Sequence, residues 1–245
     1  MASRVVRFPW SDSETNHRIQ AAVQHYWQAR KGQSQRQIDA GRPDAGTRGE
    51  VLGGQHLDGF ANLLVEIIRA AGFDDSEIRM ATGVELPGYF RPTKKWDIVV
   101  VRDHKLCAAI EMKSPVGPSF GNNFNNRSEE AIGSSTDFWV AYREGVLGPQ
   151  QPWLGYFLFI EDSPGSQTPV RLAKAVFEPM PIFNGTSYLQ RYAILCQRLV
   201  LERNYTSAAL VASPRSDKGE YSEPSPALTF STFAKSLFGH LVGAS

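Results

Sequence analysis

The sequence predicts an α/β domain, and three features support this fold class. Segments whose apolar residues recur every three or four positions alternate with short, continuous apolar runs, which are the patterns of helices and strands respectively. Apolar residues make up 42% of the chain and charged residues 21%, as in most folded proteins. A length of 245 residues suits one elaborated domain as well as two small ones, and we expect a single domain over residues 1–245.

The N-terminal part predicts two helices with a loop between them. Ile19, Val23 and Tyr26 recur at helical spacing, which predicts a helix over residues 13–31 with one buried face. Residues 32–50 are polar and rich in Gly, Arg and Gln, so we expect a mobile loop there. A second helix, predicted over residues 56–71, has an apolar inner face and also carries Glu66.

The middle of the chain predicts three strands, in the order 77–84, 95–102 and 105–113. Two prolines and a glycine within residues 86–95 predict an irregular connection before the second strand. Asp103 and His104 form the predicted turn between the second and third strands. These two strands should therefore pair antiparallel, which places Asp97 roughly opposite Glu111.

The C-terminal half is predicted to alternate helices and strands after a Gly-rich and Asn-rich loop. The predicted elements are a helix over 127–144, a strand over 153–160, a helix over 187–203, a strand over 208–212 and a helix over 230–242. Residues 161–169 are predicted to be a surface turn.

No segment predicts a membrane-spanning or exported protein. No apolar run is long enough to cross a bilayer, and the N-terminus lacks an apolar stretch followed by a cleavage site. We therefore expect a cytoplasmic protein. Cys107 and Cys196 both lie in apolar runs, and we interpret them as packed, reduced thiols without a chemical role.

Asp97 and Glu111 are the candidate metal ligands. Each lies at the end of an apolar strand, where an ionised carboxylate is strongly disfavoured unless a cation compensates it. Lys113 follows two residues after Glu111, so its ammonium shares the same strand face and can point toward a scissile phosphate. The alternative is that both acids face solvent and that Lys113 is their surface ion-pair partner.

The net charge of +1 and the pI near 7.8 give no overall attraction to nucleic acid. Local attraction remains open, because Arg91, Lys94 and Lys95 precede the candidate metal ligands closely in sequence. We predict that these three cations contact DNA phosphates. The alternative is an ordinary solvated surface. The sequence shows no Ser/His/Asp triad, zinc-ligand spacing or phosphate-binding glycine loop.

The order of these elements resembles a known nuclease core. A helix with Glu66, a first strand, a strand with Asp97 and a strand with Glu111-Met112-Lys113, followed by a helix and a strand, resemble the core of the PD-(D/E)XK nuclease superfamily. Residues 111–139 are similar, more narrowly, to the XhoI family of type II restriction endonucleases. One departure from the superfamily pattern is that Trp96, not a proline, precedes Asp97.

The resemblance implies a central mixed β-sheet flanked by helices, the PD-(D/E)XK restriction-endonuclease-like core. It also implies an Mg²⁺-dependent enzyme that cuts double-stranded DNA at the palindrome CTCGAG and leaves 5′ overhangs. A two-fold symmetric site is matched most simply by a homodimer, and a restriction system implies a cognate DNA methyltransferase as a partner.

The resemblance also assigns roles to individual residues. Asp97 and Glu111 would bind the metal through their carboxylates, with the backbone carbonyl of Met112 as a further ligand. Lys113 would orient or deprotonate the attacking water and offset charge in the transition state. Glu66 would add a metal ligand from its helix. Its alternative role is that of a solvent-facing helix glutamate.

The Asn-rich block after the third strand is a candidate DNA contact. Asn and Arg side chains read adenine and guanine edges in the major groove, and the candidates are Asn122, Asn123, Asn125, Asn126 and Arg127. The alternative is a structural role, because Asn accepts left-handed backbone conformations and caps helices.

Two other functions of the protein stay open: a structure-specific DNA repair nuclease of the same fold, and a DNA-binding protein that has lost catalysis.

Overall fold

The computed structural model describes residues 7–39, 54–173 and 175–244. Its α-helices are α1 (Asp12–Asp39), α2 (Asp58–Ala70), α3 (Phe120–Arg143), α4 (Pro164–Gln167), α5 (Tyr188–Leu201) and α6 (Phe230–Gly243). Its strands are β1 (Ile78–Met80), β2 (Glu85–Pro87), β3 (Thr93–Lys95), β4 (Ile98–Arg102), β5 (Lys105–Lys113), β6 (Trp153–Glu161) and β7 (Ser207–Ser213). Among the described residues, no helix has both the length and the apolar character needed to cross a membrane.

Five strands form a central mixed sheet in the order β1-β4-β5-β6-β7, which confirms the predicted fold class. β1, β4 and β5 pair antiparallel, whereas β5, β6 and β7 run parallel. The parallel strands need long crossovers, which α3 and α5 supply. Every residue of β6 and β7 is buried, as expected for parallel strands covered by helices on both faces.

The two faces of the sheet carry separate cores. On one face, α1, α2 and α6 pack through side chains such as Tyr26, Phe60 and Phe233. On the other face, α3 and α5 pack through side chains such as Phe138 and Tyr192. The second face matters for function, because strand alternation places Asp97 and Glu111 on the same side as their neighbours Val99 and Ala109, which belong to that second core.

The connection over residues 86–95 is irregular only at residues 88–92, so the prediction was wrong for the residues at its two ends. β2 and β3 form a separate two-stranded hairpin, with Leu86 opposite Lys94. Pro87 is tolerated at the end of β2, which pairs only with β3 among the described strands, and Pro92 lies in the connection between the two strands. The first predicted strand is also shorter than expected, because Ala81 and Gly83 have positive φ angles of 62° and 66°, which end the extended backbone after Met80.

The first helix is longer than predicted. α1 continues to Asp39, so the prediction of a loop was wrong for residues 32–39; residues 40–50 lie outside the described residues. The polar segment favours a helix because Gln, Lys and Arg have high helix propensity. The predicted helix ended at residue 31 because the apolar periodicity ends there, but residues of this kind can be helical without an apolar periodicity.

The Asn-rich block is helical and not a loop. α3 begins at Phe120, seven residues before the predicted start at 127, so the loop prediction was wrong. Phe120 and Phe124 lie one turn apart and pack against Tyr188 and Tyr192 of α5, with ring centroids 6.3 and 5.2 Å apart. Tertiary packing therefore outweighs the low helix propensity of Asn and Gly. The other predicted helices and strands of the C-terminal half are confirmed, with small shifts at their ends.

An ion pair joins the start of β1 to the end of β4. Glu77 accepts hydrogen bonds from Arg102 at 2.5 and 2.8 Å, and Arg102 also donates to the carbonyl of Gly72 at 2.6 Å. The hydrogen bond from Arg102 and the backbone N–H of Asp74 lower the pKa of Glu77 from 4.5 to about 2.

The pair predicts a pH-dependent contribution to stability. We expect Glu77→Gln to lower the free energy of unfolding by about 1 kcal/mol at pH 7. Since the folded-state pKa is depressed, the loss should be full above pH 4.5 and should shrink as the pH falls toward about 2. Urea unfolding at pH 7 and pH 3 measures the loss in the free energy of unfolding. The control is Glu178→Gln, which changes an exposed glutamate. A loss that is equal at both pH values would contradict the assignment.

Candidate active site

Neighbouring strands bring Asp97 and Glu111 together. The β4–β5 register pairs Ile98 with Ile110, which places Asp97 opposite Glu111, as the turn at residues 103 and 104 predicts. The backbone N–H of Asp97 donates to the carbonyl of Ile110 at 3.0 Å. The backbone N–H of Met112 donates to Asp97 Oδ2 at 2.7 Å, so the Asp97 carboxylate is held against β5.

Two lysines hold the Glu111 carboxylate. Its side chain is 8% exposed, and its Oε2 lies 2.5 Å from Lys94 Nζ, while its Oε1 pairs with Lys113 Nζ. Burial would raise the pKa of Glu111, but the charges of Lys113 and Lys94 outweigh burial and lower it. Burial would lower the pKa of Lys113, but the charges of Glu111 and Asp97 raise it. The lysines therefore keep Glu111 ionised within the protein.

Within the part of the chain that the structure describes, no lysine forms an ion pair with Asp97 as Lys94 and Lys113 do with Glu111. Asp97 is exposed to solvent as a residue, although neighbouring protein atoms partly desolvate its carboxylate. This burial, together with the negative charge of Glu111, raises the pKa of Asp97 despite the opposing charge of Lys113. The folded chain therefore places two like charges side by side, which is unfavourable unless a cation joins them.

The donor set suits a small divalent cation. Mg²⁺ binds through one or two carboxylates and completes its shell with water and substrate phosphate oxygens. Asp97 and Glu111 supply two such carboxylates, whereas the described residues contain no group of three His, Cys, Asp or Glu that could enclose an ion. The side chain of Met112 is buried in the core of the opposite face, so only its backbone carbonyl can serve as a ligand.

The structure does not bring Glu66 to this pair. α2, which carries Glu66, covers the other face of the sheet, and the Glu66 carboxylate pairs with Arg18 of α1 at 2.6 Å. Glu66 is therefore a partly exposed helix glutamate paired with a cation of a neighbouring helix. This position agrees with the solvent-facing alternative and not with a role as a metal ligand.

The hairpin positions the three predicted cations beside the site. Lys94 reaches Glu111, while Lys95 is exposed. The hairpin tip is held by Asp137, which lies on the buried side of α3. Its carboxylate accepts hydrogen bonds from the backbone N–H groups of Tyr89 and Phe90 at 2.8 and 2.7 Å and from Arg91 Nε at 2.8 Å.

Sequence reasoning missed Asp137 and the aromatic tip. Tyr89 and Phe90 are 56% and 69% exposed, although large aromatic side chains usually pack inward. The detectable signal was an acid on the apolar face of a helix, directly before Phe138 and Trp139. Burial would raise the pKa of Asp137, but its hydrogen bonds from Phe90 and Arg91 lower it, so the tip is anchored by an ionised group.

The Asn-rich block divides into two sets. Asn123 donates to the carbonyl of Val116 at 3.2 Å, and Asn125 donates to Glu129 at 2.9 Å. Asn122 and Asn126, by contrast, are exposed one helical turn apart, and within the described residues neither side chain has a hydrogen-bond partner.

Arg127 is a half-buried cation in the first turns of α3. It pairs with Glu130 of the same helix, and its charge opposes the protonation of Lys113. The first turns of α3 therefore expose the side-chain amides of Asn122 and Asn126 to solvent. They also carry Arg127, whose charge acts on Lys113.

Known proteins are similar in sequence to most of this chain. The family model described as restriction endonuclease XhoI matches residues 36–223. The type II restriction enzyme BstVI of Geobacillus stearothermophilus is 45% identical over 206 residues, which cover 81% of this chain and 92% of that enzyme. No solved structure matches the chain significantly.

Two further relatives agree. The type II restriction enzyme XhoI of Xanthomonas vasicola is 44% identical over 193 residues, which are 78% of this chain and 77% of that enzyme. The type II restriction enzyme AbrI of Azospirillum brasilense is 46% identical over 156 residues, which are 63% of this chain and 70% of that enzyme. The matched region contains the carboxylate pair, both lysines and the hairpin, and the chain therefore belongs to the XhoI family of type II restriction endonucleases.

Proposed function

We propose that this enzyme cuts double-stranded DNA at CTCGAG in an Mg²⁺-dependent reaction that leaves 5′ overhangs. The observation that carries the hydrolytic part is the meeting of Asp97, Glu111 and Lys113 on one face of adjacent strands. Restriction endonucleases act on double-stranded DNA and generally need a divalent metal. The choice of CTCGAG and of Mg²⁺ follows from the likeness to the XhoI family.

Each residue of the site has a part in the proposed mechanism. Asp97, Glu111 and the carbonyl of Met112 would hold the cation. When bound, Mg²⁺ would polarise the scissile phosphate and make the attacking water more acidic. Lys113 would orient that water and offset the negative charge that builds up on the phosphate. Because Asp97 and Glu111 are held from neighbouring strands, the reacting groups need little rearrangement.

DNA would approach along the hairpin and the start of α3. Arg91, Lys94 and Lys95 line the hairpin side and would contact phosphates. On the helix side, Asn122, Asn126 and Arg127 would contact DNA, whereas Asn123 and Asn125 already bond within the protein.

We also propose an oligomeric state, a partner enzyme and a cellular compartment. A palindromic site is matched most simply by a homodimer that presents one site to each strand, and a methyltransferase of the same specificity would protect the host DNA. The cytoplasm is the proposed compartment. Cys107 and Cys196 are both free and buried, as expected for thiols in a reducing environment.

A cleavage assay tests the proposal. The purified protein is incubated with Mg²⁺ and a duplex that contains one CTCGAG, and the ends are mapped on both strands. The control duplex carries the same six bases in permuted order. Cuts within CTCGAG, with 5′ overhangs and an uncut control, are expected. Cuts directed by DNA structure would instead indicate a repair nuclease, and retention without cutting would indicate a binding protein.

The helix-side contact makes a separate prediction. We expect Asn122→Ala and Asn126→Ala each to weaken binding of the CTCGAG duplex by roughly 5- to 150-fold, because an amide paired with a base contributes about 1–3 kcal/mol. Fluorescence anisotropy with Ca²⁺ in place of Mg²⁺ measures this affinity. Asn125→Ala, which removes only a hydrogen bond within α3, is the matched control. Equal affinities for all three variants would remove the two exposed asparagines from DNA recognition.

A further inference from the structure

Lys94 binds the catalytic glutamate although it lies outside the motif that contains Asp97, Glu111 and Lys113. Its Nζ is 2.5 Å from Glu111 Oε2 and 3.1 Å from the carbonyl of Lys95. The same ammonium lies 4.2 Å from the ring centroid of Trp96, in the geometry of a cation–π contact. Its side chain is 13% exposed. These three contacts therefore fix the Lys94 ammonium beside the Glu111 carboxylate.

The two oxygens of Glu111 are divided between the two lysines. Lys113 takes Oε1 and Lys94 takes Oε2. A divalent cation shared by Asp97 and Glu111 would lie close to both ammonium groups and would be repelled by them. Withdrawal of one lysine would therefore favour binding of the ion.

Lys94 is the lysine that can withdraw. Lys113 belongs to β5, the strand that carries Glu111 and the centre of the five-stranded sheet. Lys94 belongs to β3, a three-residue strand of the separate hairpin, which pairs only with β2 among the described strands. Moving the Lys94 side chain leaves the central sheet intact.

A DNA phosphate offers Lys94 a second anion. The exposed Lys95 and the partly exposed Arg91 flank it on the same hairpin, so DNA that meets these cations brings phosphates to the place where Lys94 is attached. Exchange of Glu111 for a phosphate keeps the ammonium paired and frees one oxygen of Glu111.

We propose that Lys94 occupies the cation's place on Glu111 in the DNA-free protein and that a DNA phosphate draws it away, so that DNA binding and divalent metal binding reinforce each other. This inference rests on the proposed function. Such coupling is reciprocal: the metal should strengthen DNA binding by the same factor by which DNA strengthens metal binding. A free enzyme with a weak metal site would acquire its full catalytic centre only on DNA.

Metal binding without DNA gives the direct test. Isothermal titration with Mn²⁺ compares the wild-type protein with Lys94→Met, which keeps the apolar stem and removes the charge. We expect roughly tenfold tighter Mn²⁺ binding by the variant, within the usual range of coupling between two ligands. Lys105→Met, which removes the same charge from an exposed lysine with no part in the proposed site, should stay within about twofold of the wild type. Equal affinities for the wild type and Lys94→Met would overturn the proposal.

The coupling itself gives a second readout. With Ca²⁺ as the metal, the CTCGAG duplex should raise the metal affinity of the wild type by a factor roughly ten times larger than that for Lys94→Met. An equal increase in both proteins would also overturn the proposal. If Lys94→Met fails to fold, Lys94→Gln serves in its place with the same expected results.

Asp97→Asn distinguishes failure of this inference from failure of the proposed function. If Mn²⁺ binding is lost in Asp97→Asn but is equal in the wild type and Lys94→Met, the metal site stands and the role of Lys94 falls. If Asp97→Asn binds Mn²⁺ as the wild type does, the metal site is elsewhere, and both the proposed mechanism and the role of Lys94 fall.

Discussion

Lys113→Ala is expected to lower the rate of DNA cleavage by roughly a thousandfold, within the range for loss of a group that assists proton transfer and stabilises charge. The ammonium of Lys113 contacts Glu111 and is the only lysine of the site that shares its strand. DNA affinity should change by less than about threefold, because the phosphate contacts come from other cations. Single-turnover cleavage and anisotropy with Ca²⁺ measure the two quantities.

The matched control is Lys105→Ala, an exposed lysine at the start of the same strand. It should cut DNA at a rate close to that of the wild type. Cleavage by Lys113→Ala at the wild-type rate would remove this lysine from the mechanism. A large loss of DNA affinity would instead assign it to binding.

Asp97→Asn is expected to abolish cleavage and to stabilise the DNA-free protein at the same time. Burial and the charge of Glu111 raise the pKa of Asp97, so ionised Asp97 is less favourable in the folded than in the unfolded chain. Asn is neutral and its Oδ1 can still accept the hydrogen bond from Met112. After discounting for the exposure of Asp97 to solvent, we expect the melting temperature to rise by roughly 2 °C at pH 7.

The sign of the pH dependence follows from the raised pKa. Asp97 becomes protonated as the pH falls through its folded-state pKa, and the repulsion then disappears from the wild type as well. The stability advantage of Asp97→Asn should therefore be present at pH 7 and should decrease toward acid. Calorimetry at pH 7 and pH 5 measures the difference.

Glu111→Gln is the matched comparison and should have the opposite effect on stability. It also abolishes cleavage, but it leaves the ammonium groups of Lys94 and Lys113 without a charged partner, and loss of one partner of a buried pair is destabilising. If both amide variants lower the melting temperature, then Asp97 is not under the electrostatic strain described above.

Much of the fold was predictable because it depends on local patterns. β5 was predicted with its observed bounds, since its apolar run ends at charged residues and starts after a two-residue turn. The errors fell where local preference and tertiary contacts disagree. The Asn-rich block has weak helix propensity, yet Phe120 and Phe124 pack on α5 and make it helical. The β2–β3 hairpin contains prolines and a glycine, yet Asp137 of a distant helix holds its tip.

The pairing of Asp97 with Glu111 and the side on which Lys113 lies are encoded within about twenty consecutive residues, because a tight turn sets the register of two strands and alternation sets their faces. Lys94 on Glu111, Asp137 under the hairpin and Arg18 on Glu66 required the folded chain. Each joins segments that are separated in sequence by loops or whole elements, and the distance between such segments depends on how the helices pack on the sheet, which no local pattern specifies.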